Sequence, residues 1–126
     1  MTARVAERHE SLLIIAAGPL VWAAHFLLCY VTAAVWCAKQ GNPLVPLMTV
    51  RLSIAAFTAI ALGLIACIAW WGYRAHRLGG ERAPHDDDTP EDRHRFVGYA
   101  TLLLAGLSGV AIVYAALVAV FVQTCQ

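Results

Sequence analysis

Read for hydrophobic and polar positions, the chain divides into three long apolar stretches separated by short polar segments. Ser11 to Ala38 contains no Asp, Glu, Lys or Arg, and the same is true of Leu52 to Tyr73 and of Phe96 to Gln126. Each stretch exceeds the roughly 20 apolar residues that a helix needs to cross about 30 Å of hydrocarbon. In that medium every backbone N–H and C=O must be satisfied within the segment, so such runs form helices rather than open strands. A water-soluble three-helix bundle would carry a polar face on each helix, whereas these stretches are apolar all round. The pattern predicts an all-α integral membrane protein, a single domain over residues 1–126, with spans at about 11–38, 46–73 and 96–123 in an up-down-up bundle.

The charged flanks predict orientation. Arg4 and Arg8 precede the first span, and Arg74, Arg77, Arg82, Arg93 and Arg95 lie between the second and third, against only Lys39 and Arg51 on the opposite side. Basic residues in short flanks stay in the cytoplasm, so the N terminus is expected inside and the C terminus outside. The first stretch also invites reading as a signal peptide, with Val31-Thr32-Ala33 as a loose cleavage site. An h-region is only about 7–15 residues long, and the run from Glu10 to that site is longer, so a retained span is expected.

Lys39-Gln40-Gly41-Asn42-Pro43 reads as a turn-rich outer link. The second helix could begin as early as Leu44 to Pro46, leaving Arg51 a turn inside it near the outer interface. Residues 75–89 are expected to form a flexible cytoplasmic loop. Thr89-Pro90-Glu91-Asp92 looks like a helix start, with Thr89 as N-cap, Pro90 in the first helical position and acids at the positive helix end. The cluster His85-Asp86-Asp87-Asp88, with Glu91, Asp92 and His94, holds oxygen ligands suited to a hard cation. Its spacing matches no calcium loop and arginines are interleaved with it, so it reads as a solvated loop and helix cap.

Composition agrees with the pattern: 60% of residues are hydrophobic, 13% are charged and the formal net charge is +1. These values lie outside the usual balance of a soluble domain.

Within the first span, Trp22, His25, Cys29, Thr32 and Trp36 recur at steps of three and four, which puts them on one face, expected to be turned away from lipid. His25 is the one strongly ionisable side chain near the bilayer midplane. Polar groups at that depth usually face a bundle interior or a functional path. One reading is a neutral imidazole bonded across the bundle, with Ser108 at the right level to be its partner. The other is haem or copper ligation, or proton relay. No span contains a second histidine, so haem would need a ligand from a partner. Copper would find only His25 and Cys29, since Cys67, on an antiparallel helix, should lie too far from Cys29.

Cys37 and Cys125 close the first and third helices in the outer layer and could form a disulfide, worth roughly 4 kcal/mol at most for so long a loop; two unpaired small residues are the alternative. Ala55, Ala59, Gly63 and Cys67 form a small-residue strip on the second helix, with a shorter one at Ala105 and Gly109 on the third. Such strips admit close helix approach, either within the chain or from a larger subunit. Trp70, Trp71 and Tyr73 at one end, with Trp36 at the other, fit aromatic belts. Arg51 could snorkel, bind a lipid phosphate, or pair with a carboxylate: a partner's, a haem propionate or the C-terminal group.

The run Gly18-Pro19-Leu20-Val21-Trp22-Ala23-Ala24-His25-Phe26, with Cys37, Arg51 and Cys125, resembles a family of small bacterial membrane proteins encoded beside haem-copper cytochrome oxidase and its copper-delivery assembly factor. The similarity covers most of the three spans and draws attention to Trp22, His25, Cys37, Arg51 and Cys125 without assigning them chemistry. The ending Val122-Gln123-Thr124-Cys125-Gln126 departs from the family's proline-rich tail. The resemblance implies a multi-pass protein of the bacterial cytoplasmic membrane. Its expected role is as a non-catalytic accessory or assembly subunit of a respiratory terminal oxidase or similar complex. Membrane lipid and a larger membrane subunit are the expected partners, and nucleic acid is not. A haem- or copper-handling protein using His25 is the alternative, and a homo-oligomeric pore, for which the spans offer no charged pathway, stands third.

Overall fold

The computed structural model describes residues 2–42, 44, 46–78 and 90–125. They form three α-helices: α1 (Thr2–Lys39), α2 (Met48–Leu78) and α3 (Pro90–Phe121), with no strand among the described residues. Leu12–Lys39, Met48–Arg77 and Arg95–Phe121 are each long and apolar enough to cross a membrane. The chain is therefore a multi-pass membrane protein by the length and composition of its helices.

The ends of the elements sharpen the expected boundaries. Helix α3 starts at Pro90, where the missing N–H removes a donor that the first turn could not use. Helix α2 starts at Met48, with the Arg51 amide donating to the Leu47 carbonyl at 2.8 Å. The link before it turns at Asn42, whose side-chain oxygen accepts from the Leu44 amide at 3.0 Å. At its other end α2 runs on to Leu78, so residues 75–78 are helical and not part of a loop. Thr89 and the cluster His85 to Asp88 fall outside the described residues, as do the side chains of Glu91, Asp92 and His94.

Apolar side chains cover the outside of this bundle. Leu13, Leu20, Leu27, Leu52, Ile60, Leu107 and Phe121 are all more than half exposed, whereas the fully enclosed positions are few. That distribution suits hydrocarbon, in which burying a leucine offers no advantage over leaving it in contact with lipid.

The interior follows a repeat on α3. Gly98, Thr101, Ala105, Ser108 and Ile112 are buried at alternating steps of three and four, the spacing that keeps residues on one helix face. Ala61 and Ile65 of α2 pack with Ala105 and Ile112, and Val21 of α1 closes this cluster. The backbones come into close contact at glycines. A Cβ added to Gly98 would lie 2.9 Å from the Gly72 carbonyl oxygen, and one added to Gly18 would lie 3.3 Å from the Ala105 backbone. Gly18 precedes Pro19, which leaves the Ile15 carbonyl without a helical donor. Such a proline is tolerated in a membrane helix when neighbouring elements support it.

At the opposite end from Gly72 and Gly98, Leu47, Val50 and Ile54 form a second cluster with Trp36, Cys37, Ala119 and Cys125. The last turn of α1, the first turns of α2 and the end of α3 thus meet in one place, called the disulfide end below.

Candidate functional site

His25 is held in the middle of α1 and is 2% exposed. Its Nε2 lies 3.0 Å from Oγ1 of Thr58 on α2. Thr58 donates its single hydroxyl proton to the Ile54 carbonyl one turn earlier, at 2.7 Å. The threonine oxygen is therefore an acceptor towards the imidazole, and Nε2 carries the proton of a neutral ring. Cys29 Sγ, one turn along α1, lies 3.5 Å from the same Nε2. Nδ1 is left with a lone pair, is fully enclosed and has no hydrogen-bond partner.

This network corrects the expected pairing of His25 with Ser108. Ser108 is buried, but its hydroxyl faces Gly18, where an added Cβ would lie 3.2 Å from Oγ. Gly18 is about two helical turns from His25. Matching the centres of the apolar stretches places Ser108 level with His25. The helices instead settle where Gly18 and Ala105 allow α1 and α3 to touch, and that shifts the levels. Thr58 takes the role, and its only signal in the sequence is that it is a hydroxyl at mid-span.

The arrangement also sharpens the ligand reading. His25 and Cys29 share the N–H edge of the ring, so they do not direct two lone pairs at one point. The open atom of the imidazole is Nδ1, on the other edge. Among the described residues no group of three or more His, Cys, Asp or Glu side chains converges. Cys29 and Cys67 are both free thiols, and Cys67 is exposed on the surface of α2.

The expected stripe on α1 is enclosed at His25 and half-enclosed at Cys29, Thr32 and Trp36. Trp22 departs from it. The residue is 39% exposed and its ring sits 6.3 Å from that of Phe26, which stacks in turn on Tyr30 at 6.5 Å, forming an outward-facing aromatic column. Trp36 departs from its expected belt position, because it packs into the cluster of Leu47, Val50 and Ile54 and its Nε1 is enclosed without a partner. Trp70, Trp71 and Tyr73 are exposed at the other end, with the Arg77 guanidinium 5.6 Å above the Tyr73 ring. That is the amphipathic position expected of interfacial aromatics.

Cys37 and Cys125 are joined in a disulfide, with their Cα atoms 5.7 Å apart and a separation of 88 positions in sequence. Beside it, the Arg51 guanidinium donates from Nη2 to the Val120 carbonyl at 3.0 Å. Val120 lies in the last turn of α3, where carbonyls have no N–H four residues ahead within the helix. Arg51 therefore caps α3 from α2, a role the sequence did not suggest.

The two small-residue strips have different fates. Ala105 and Ser108 are buried, and a Cβ on Gly109 would touch Ile65 at 3.5 Å, so the α3 strip packs within the chain. Ala55, Ala59, Gly63 and Cys67 are all exposed, and a Cβ on Gly63 would meet nothing within 4 Å. Packing of the α2 strip within the chain is thus not what the structure shows. Its inward small positions are Ala61 and Gly72 instead, because the face of α2 that meets α3 carries Ala61, Ile65 and Gly72. No family model matches the chain, and no curated protein or solved structure matches it either.

Proposed function

We propose that this chain is a non-catalytic accessory or assembly subunit of a larger membrane complex in the bacterial cytoplasmic membrane. In this reading it is an up-down-up bundle with the N terminus inside and the C terminus outside. The resemblance of Gly18 to Phe26 points to a haem-copper terminal oxidase as that complex.

The observation that carries the proposal is the uncovered strip Ala55, Ala59, Gly63 and Cys67. Small residues four apart let a second helix approach backbone to backbone, which is how helices associate where lipid and leucine are equally apolar. On another face, α2 and α3 leave an open cleft of about 580 Å³ whose lining includes Ile65, Ala69, Gly106 and Gly109. The seven-to-two division of basic residues supports the orientation, and a disulfide at Cys37 and Cys125 suits an oxidising outer layer.

Copurification tests the proposal. A tagged chain extracted in mild detergent is expected to bring down a haem protein or another respiratory subunit, and its failure to do so removes the proposal's support.

A second reading, haem or copper handling through His25, is favoured by the enclosed and unpartnered Nδ1. An absorption spectrum and metal analysis decide it. A Soret band or bound copper that disappears in His25→Ala would establish the reading, and a colourless, metal-free chain would end it.

A further inference from the structure

We infer that the cleft at the disulfide end is a binding site for one anionic phospholipid, with an acyl chain between the helices and the phosphate on Arg51. The cleft holds about 240 Å³ and takes walls from all three helices, among them Tyr30 and Ala33 of α1, Val50 and Ile54 of α2, and Ala115 and Val118 of α3. Apart from Arg51, Cys29 and the Tyr30 hydroxyl, every lining side chain is hydrocarbon. Phe26, Tyr30 and Val118 are about half exposed or more, so the mouth opens sideways, towards the surroundings of the bundle.

Charge identifies the head of the occupant. The eight acidic side chains of the protein lie at residues 7–10 and 81–92, and none occurs from Ser11 to Gly80 or after Asp92. Arg51 thus has no side-chain carboxylate at its end of the bundle. The Val120 carbonyl takes one N–H of the guanidinium. The remaining donors form a planar fork suited to the oxygens of a phosphate. Arg51 also lies only three residues past the start of its span at Met48, the depth at which a long basic side chain reaches the headgroups.

Size identifies the tail. A helix is about 10 Å across, far too wide for a cleft of this volume, whereas a single acyl chain is narrow enough to enter it. An apolar slot with one cation at its rim therefore matches a lipid with a charged head more closely than a protein segment.

Native mass spectrometry of the full chain, extracted in mild detergent and supplied with equal amounts of phosphatidylglycerol and phosphatidylcholine, tests the inference. The expected result is one retained lipid with about fivefold preference for phosphatidylglycerol, the preference one basic residue confers near a membrane surface. Arg51→Lys should keep that preference and Arg51→Gln should lose it. Ala119→Leu, which fills the cleft and leaves Arg51 in place, should lower retention of both lipids. In vesicles, acyl-brominated phosphatidylglycerol should quench Trp36 more strongly than brominated phosphatidylcholine, read in a chain with Trp22, Trp70 and Trp71 replaced by Phe. Equal retention of the two lipids by the unaltered chain would overturn the site. So would a lipid-free dimer, which would make a second copy the occupant.

Discussion

Gly72 and Gly98 face each other across α2 and α3 so closely that a Cβ on either would lie about 3 Å from the other's carbonyl oxygen, and one on Gly98 would also lie 2.9 Å from the His76 amide nitrogen. These are backbone atoms of helices, which cannot rotate aside as a flexible side chain does. Gly98→Ala should therefore push the helices apart and cost about 1–3 kcal/mol, the usual range for overpacking. Gly63→Ala, in open space, should cost nothing or gain slightly from helix propensity. Reversible unfolding of the two variants in mixed detergent micelles reads the difference. Equal stabilities would mean that the two glycines do not set the approach of α2 and α3.

The contact between His25 and Thr58 makes a second prediction. Hydrogen bonds between membrane helices are worth about 0.6 kcal/mol on average and at most about 1.7. A double-mutant cycle on His25→Leu and Thr58→Val should return a coupling of that size, while His25→Leu with Ser108→Ala should be additive. Coupling to Ser108 in place of Thr58 would show that α1 sits at a different level against α2 and α3.

The helices themselves were legible because hydrocarbon imposes a length and an absence of charge, and both are visible residue by residue from Ser11 to Ala38, Leu52 to Tyr73 and Phe96 to Gln126. The disulfide was legible as a pairing because Cys37 and Cys125 end helices that the alternation of spans sends to the same side. The facing of α2 was not. Its two sets of small residues, Ala55, Ala59 and Gly63 on one side and Ala61 and Gly72 on the other, are equally plausible contact surfaces by composition. Only the partner repeat on α3 chooses between them. For the same reason the levels of the spans point to Ser108 and not to Thr58 as the partner of His25: registry depends on where Gly18, Gly72 and Gly98 let backbones touch, a property of pairs of helices that no single stretch contains.

The uncovered strip on α2 predicts a separation of stability from assembly. Gly63→Leu places a large side chain where nothing stands within 4 Å, so the isolated chain should keep its stability to within about 0.5 kcal/mol. If the strip docks a larger subunit, the same substitution should abolish copurification of that subunit, because a leucine at the contact keeps two backbones apart. A variant that still brings down its partner at the original yield would move the docking surface elsewhere.

The disulfide and the Arg51 cap act on the same end of the bundle, which allows their contributions to be told apart. Non-reducing peptide mapping should recover Cys37 and Cys125 in one linked species. Cys37→Ser breaks a link between residues 88 positions apart, and a disulfide typically contributes about 2–4 kcal/mol. The loss should nevertheless be local. Arg51 still holds the Val120 carbonyl, and the contact of Gly72 with Gly98 lies at the other end. Hydrogen exchange should therefore quicken in Val118 to Cys125 and in the last turn of α1, with little change around Gly98 and Thr101. Cys37→Ser combined with Arg51→Gln removes both clamps and should extend the faster exchange into the first turns of α2, where Leu47, Val50 and Ile54 lose their cover. Uniform quickening along all three helices in Cys37→Ser alone would instead show that the link stabilises the bundle as one cooperative unit.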